Sequence, residues 1–359
     1  MKILYVEDEL SKNISRIPKL FQKYMGKEII RRLKELEEDE SGYGATPDEI
    51  KDIVEETNLI EVEYRFPDAL RKVVHDHEKY TLFIIDRNLT KGRYEHEEVR
   101  KIDSAYTDEK YEKFSKSNRE GDYLLNYLIL VHKADVEKKF FFLTAYSAKD
   151  ELRDSENIEN FILMDQFTEK NFIEKGKEED FERLKGIVDN NEVINLIHEN
   201  RDCLNILNKN IGEKAAKRFL HVLYRKDSDN PADIAGNLGN LRNILANISA
   251  EAGIRFNAPE SCRRGDELIT RNFFWWLTHD EATKEKIYKF DTNSLLQNFF
   301  YSVYQIGSDF GTPHEELSKD KPSGYQPTSD TVNSLIYALK DVISWFGKIC
   351  SRYPKAAEK

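Results

Sequence analysis

The chain has 359 residues, 34% of them charged, and a formal net charge of −11; that length sets a prior of two domains, and the acidic balance argues against a broad cationic face for nucleic acid. Cys203, Cys262 and Cys350 are too scattered for a metal motif and fit a reducing compartment as small buried residues. The first apolar run is short and ends in acids, and no stretch approaches the roughly 20 apolar residues of a bilayer span, so the expectation is a cytoplasmic chain with no membrane partner.

The opening "MKILYVEDEL" runs from an apolar strand, 2–6, directly into Glu7, Asp8 and Glu9. Crowded carboxylates at a strand end call for compensation, either by a divalent cation or, as helix-start acids, by the positive end of the following helix. Further strands are expected at 59–64, 80–85, 139–143 and 171–174, separated by helical patterns. The runs "TLFIID" and "KKFFFLTA" are almost continuously apolar, as strands covered on both faces are. The expected fold is a doubly wound α/β domain with a five-stranded parallel sheet. Two polar, highly charged stretches interrupt it, at about 34–58 and 90–120. They read as surface elaboration or mobile loop, with a lid or a partner-docking element as the sharper reading.

Beyond about residue 187 strand signals fade. Ile234, Leu238, Leu241, Leu245 and Ile248 share helical spacing, as do Val332, Leu335, Leu339, Val342, Phe346 and Ile349, with capping residues in "PTSDT". The boundaries are therefore an α/β domain over 1–187 and an all-α bundle over 188–359.

Ligands of an open parallel sheet bind at the carboxyl ends of its strands. Glu7 and Asp8, Asp86, Thr144 with Ala145, and Lys175 fall at those ends. Acids to hold a cation, a carboxylate to act as nucleophile, and a hydroxyl and an ammonium for phosphoryl oxygens form a set suited to phosphoryl transfer onto a carboxylate.

With "ILYVEDE", "LFIIDRNL", "GDYLLNYLI", "FFLTAYSA" and "NFIEKGKEEDFERL" in this order, residues 1–187 resemble the CheY-like receiver domain of two-component response regulators, a flavodoxin-like fold. The resemblance implies that Asp86 is the phosphoacceptor and that Glu7, Asp8, Asp86 and the backbone carbonyl of Asn88 bind Mg²⁺. It implies that Thr144 is the switch hydroxyl, that Lys175 pairs with the acyl phosphate, and that Phe172 stands where a switch aromatic is carried. The partner it implies is a histidine kinase or phosphotransfer protein. Two departures stand out: no proline follows Asp86 closely, and Thr144 and Lys175 lie 31 positions apart, which puts the usual dimer face in doubt while leaving a homodimer open.

The helical half carries no DNA-reading pattern, and its short basic clusters, "KAAKR", "YRK" and "CRR", read as solvated faces. Its end, "YSVYQIGSDFGTPHEELSKDKPSGYQPTSDTVNSLIYALKDVISWF", resembles abortive-infection domains related to the HEPN group, whose RNases pair an Arg and a His on one helix. His314 has no such arginine nearby, Arg271 and His279 are spaced wider, and Arg218 and His221 are too close. Phe274, Trp275 and Trp276 read as core. The expected function is a phosphorelay response regulator whose helical output acts on a protein partner. The alternatives are an RNA-cleaving effector governed by the receiver and a phosphorylation-independent scaffold.

Overall fold

Five parallel strands form one sheet in the order β2-β1-β3-β4-β5: β1 (Lys2–Val6), β2 (Ile60–Glu63), β3 (Tyr80–Asp86), β4 (Phe140–Thr144) and β5 (Phe172–Glu174). The computed structural model describes residues 2–38, 45–153, 167–311 and 325–354. It divides into two units, Met1–His198 and Glu199–Lys359. Each expected strand forms, within one residue of its expected ends.

Alternation along the strands gives the sheet two apolar faces. Leu4, Val6, Phe83, Ile85, Phe140, Phe142 and Phe172 pack with Phe66 and Leu70 of α4 (Phe66–Asp76) and Leu124 of α7 (Glu120–Asn126). On the other face Tyr5 meets Phe21 of α1 (Arg16–Phe21) edge-on at 5.7 Å. There α1 lies against α9 (Glu178–Asp189), whose Phe181, Leu184 and Val188 are buried.

The 90–120 segment is folded, which corrects the loose-loop expectation. It forms α5 (His96–Ile102), the short α6 (Asp108–Lys110) and a π turn over Tyr111–Ser115. Val99, Tyr106 and Phe114 join the core, and the Tyr106 ring packs edge-on against Tyr123 at 4.9 Å. Sparse apolar residues among many charges hid this, because each buries alone rather than in a run. The first insertion likewise contributes α3 (Pro47–Glu55), started by a capping box of Thr46 and Glu49 with Pro47 in the first turn. That helix buries Ile50 and Val54; residues 39–44 lie outside the described residues.

The second unit is built of helices, chiefly α13 (Pro231–Arg255), α15 (Ser294–Phe310) and α16 (Ser329–Arg352), which pack on one another. Both apolar stripes expected there are buried, and Thr328 with Thr331 forms the capping box at the start of α16. One correction applies: the unit is not wholly helical. Arg263–Arg264 and Glu267–Leu268 pair antiparallel around Gly265, whose φ of +60° glycine adopts without strain. Among the described residues no helix is long and apolar enough to cross a membrane.

Two measurements probe these layers. Glu61 of β2 accepts from Lys2 and Lys72 at 2.6 and 2.9 Å and from the Tyr80 hydroxyl. Burial raises its pKa, but these three donors more than offset that and bring it from 4.5 down to about 2. A lowered folded value stabilises the protein above pH 4.5, and that contribution is lost as pH falls toward 2. Glu61→Gln is expected to flatten the pH dependence of urea unfolding in that window, removing roughly 3 kcal/mol measured at neutral pH. In the second unit, a Cβ on Gly307 would stand 2.8 Å from the Arg242 Cβ and 3.0 Å from the Leu238 carbonyl oxygen. Gly307→Ala is expected to lower stability by about 1–2 kcal/mol, because overpacking outweighs the roughly 1 kcal/mol helix preference for alanine. Gly236→Ala on α13, with nothing within 4 Å, should instead gain up to about 1 kcal/mol in the same melts.

Candidate functional site

The carboxyl edge of the sheet brings three acids together. One carboxylate oxygen from each of Glu7, Asp8 and Asp86 lies within 4.8 Å of the others. Glu7 and Asp86 are buried at 0% and 5% exposure, and Asp8 is half-buried. β1 and β3 pair side by side, so Glu7 and Asp86 extend from neighbouring strand ends. Glu9, by contrast, precedes a short 3₁₀ turn and pairs with Lys12 at 2.7 Å.

Lys175, just past β5, donates to Asp86 Oδ2 and reaches Glu7 Oε2 at 2.9 Å. Arg16 approaches the same Glu7 oxygen at 3.3 Å. Three acids thus face two cations. Burial and the neighbouring Glu7 push the Asp86 carboxyl well above the ordinary value. Burial raises Asp8 to about 6, against the pull of the Lys91 amide. Burial works against the charge on Lys175, but Asp86 and Glu7 overcome it and hold its ammonium above the usual lysine value.

This donor set fits a hard divalent cation. It offers only carboxylate oxygens, carries excess negative charge, and has the Tyr5 hydroxyl buried on the same face of the sheet without a hydrogen-bond partner. Glu7, Asp8 and Asp86 would hold such an ion. Asn88 stands beside them and donates its N–H to Asp86 Oδ1 at 3.2 Å.

The segment after β3 is fastened over this edge. The Lys91 N–H donates to Asp8 Oδ2 at 2.6 Å. The Leu89 N–H and the Tyr94 hydroxyl donate to Glu120 at 3.2 and 3.0 Å. Glu120 is fully buried, and burial raises its carboxyl to about 7. Gly121 lets α7 start directly beneath the phosphoacceptor candidate: its N–H donates to the Arg87 carbonyl at 3.0 Å, and a Cβ there would sit 2.8 Å from the Arg87 Cα.

The sheet register divides the edge into two sides. Asp86 pairs with Leu143, and Thr144 with Glu174, so Thr144 shares the face of Arg87, Phe142 and Phe172 rather than that of Asp86. Arg87 is only 1% exposed. Its guanidinium grips Asp122 of α7 through two bonds of 2.7 and 2.9 Å and pairs with Glu151 of α8 (Ala148–Arg153). It also lies over the rings of Phe142 and Phe172 at 5.6 and 5.5 Å. Thr144 donates its hydroxyl to Glu151 and accepts from the Tyr146 N–H at 3.1 Å. Phe172 is fully buried in the core.

The expected residues Glu7, Asp8, Asp86 and Lys175 therefore meet, with Thr144 at the adjoining strand end. Arg87, Glu120, Asp122 and Glu151 were not singled out from sequence. The signal for Arg87 lay in the alternation of "LFIIDR", which turns it inward, where an arginine needs acidic partners.

In the second unit Arg271 is exposed near the start of α14 (Thr270–Thr278), and His279 follows its end. The helix holds them about 12 Å apart along its axis. His279 instead stacks on Trp275 at 5.0 Å and bonds its carbonyl oxygen at 3.1 Å. Phe274 and Trp276 are buried, and Trp275 partly so. Arg218 and His221 share a surface cavity with Lys214, Lys217 and Asn240. His314 lies outside the described residues. Comparison of the chain with protein-family models, with curated proteins and with solved structures returned no match.

Replacing Arg87 takes the guanidinium from two buried acids, Asp122 and Glu151. Arg87→Met is expected to destabilise the first unit by about 3–5 kcal/mol, read as a lower urea midpoint by circular dichroism.

Proposed function

We propose that the first unit is a CheY-like receiver phosphorylated on Asp86, and that the chain is a response regulator whose helical second unit acts on a protein partner. The observation that carries this reading is the meeting of Glu7, Asp8 and Asp86 within 4.8 Å at the sheet edge, with Lys175 bonded to Asp86. The strand order 2-1-3-4-5 is that of doubly wound folds which bind ligands at this edge.

In this reading a carboxylate oxygen of Asp86 attacks the phosphorus of a phosphohistidine on a kinase or phosphotransfer protein. The O–P bond forms, the N–P bond breaks, and the imidazole keeps the electron pair. Glu7, Asp8, Asp86 and the Asn88 carbonyl would hold Mg²⁺, which would supply positive charge against the phosphoryl oxygens. Lys175 already lies on Asp86, so its ammonium follows the charge onto the acyl phosphate. The Thr144 hydroxyl supplies a donor from the neighbouring strand, and its movement toward the phosphoryl group biases a two-state equilibrium in the receiver. Phe172, packed beneath Arg87, is placed to repack when the Thr144 side of the edge rearranges.

The spacing of Arg271 and His279 at opposite ends of one helix gives an RNA-cleaving centre no support.

The test is intact-mass analysis after incubation with acetyl phosphate and Mg²⁺, on the native chain and on Asp86→Asn. One added phosphoryl group on the native chain alone is expected. No addition to a folded native chain would overturn the reading and leave a phosphorylation-independent scaffold.

A further inference from the structure

The Thr144 hydroxyl has one proton, and the fold has already given it away. Thr144 is buried at the end of β4 and donates to one carboxylate oxygen of Glu151. Glu151, 2% exposed, gives its other oxygen to the Arg87 guanidinium and stands 3.7 Å from Arg119. Arg87 also donates to the Glu151 backbone carbonyl at 3.2 Å, so α8 is tied to the arginine by main chain and side chain together. Arg87 directly follows Asp86, is locked to α7 through Asp122, and covers Phe172.

We propose that Glu151 is a positioning residue of the phosphoryl site. It holds the Thr144 hydroxyl in the resting chain, and a phosphoryl group on Asp86 must win that proton from it. This inference rests on Asp86 as phosphoacceptor. The competition is between two anionic acceptors for one donor: a hydrogen bond to a charged group forms on either side, and only one forms at a time. When the hydroxyl turns to the phosphoryl oxygen, Glu151 keeps its Arg87 contact and loses its tether to β4. The change therefore passes to α8, and through Arg87 to Asp122 of α7 and to the ring of Phe172. Arg87 couples the two sides of the edge because its own partners are fixed by burial, which leaves the Thr144 bond as the contact that can change hands.

The probe is beryllofluoride, an acyl-phosphate mimic, with Mg²⁺, titrated calorimetrically into the full chain. Glu151→Gln keeps an oxygen for Arg87 and turns its amide NH₂ toward Thr144, where it cannot accept the hydroxyl proton. It is expected to bind beryllofluoride about tenfold tighter than the native chain, the size of one hydrogen bond to a charged group. In the Thr144→Val background the same substitution should change affinity by less than about twofold. A merely structural Glu151 would alter affinity equally in both backgrounds, or weaken binding in the single variant, and either result overturns the proposal. Glu151→Asp retains the charge for Arg87 and withdraws it from Thr144, so it must shift affinity in the same direction if Glu151→Gln does not fold. A native chain that binds beryllofluoride with an additive cycle sinks this inference alone. A native chain that neither binds it nor accepts a phosphoryl group sinks the receiver reading with it.

Discussion

Burying charge at the end of a β-sheet is the constraint on which the first unit depends. Glu7 and Asp86 are nearly inaccessible to water, and each would be costly if left alone. Lys175 and Arg16 offset part of that cost, and the imbalance that remains leaves room for a further cation. The sheet order makes the arrangement unavoidable. With β1 and β3 adjacent and β4 and β5 following, four strand ends deliver Glu7, Asp86, Thr144 and Lys175 to one edge. The acids are then held against their mutual repulsion by the apolar strands behind them, whose burial greatly exceeds the electrostatic penalty.

The pleat divides that edge into two compartments with different chemistry. Asp86 and Lys175 belong to the face covered by α1 and α9. Arg87, Thr144 and Phe172 belong to the face covered by α4 and α7. One compartment carries excess negative charge and suits a cation. In the other, Arg87 and Arg119 face Asp122 and Glu151, so two cations stand against two acids in one network. A charge placed on Asp86 stands at the boundary between them. Asp86, the last residue of β3, and Arg87, the next, thereby connect the acidic half to a half that reaches α7 and α8.

The parts of this arrangement visible in sequence were those carried by continuous apolar runs. "ILYV", "LFII" and "FFFL" announce buried parallel strands, and the residue after each run falls at the ligand edge by geometry alone. Glu7, Asp86 and Thr144 were legible for that reason, and Lys175 because it ends the shorter strand in "KNFIEK". Glu151 was not, because it sits in a polar stretch, "AKDELR", where three of the other five residues are charged and nothing marks one as buried. Val99, Tyr106 and Phe114 were hidden in the same way. Isolated apolar residues at irregular spacing carry no periodicity, and only the tertiary fold reveals that they share one aromatic cluster with Phe66 and Tyr123.

The folded 90–120 segment also bears on how the edge can move. It is anchored at three points of different character: the Lys91 amide on Asp8, the Tyr94 hydroxyl on Glu120, and Tyr106 in the core. The first is a bond to a member of the acid cluster itself, so the position of the segment and the charge state of the cluster are linked. The third combines burial of the Tyr106 ring with a bond of its hydroxyl to Ser115 Oγ at 2.6 Å, the same oxygen that the Tyr94 hydroxyl meets at 2.6 Å. A segment held in this way meets the acid cluster near its beginning and the apolar core near its far end. Tyr94 belongs to both ends, because its hydroxyl reaches Glu120 while its ring packs on Phe66 of the aromatic cluster.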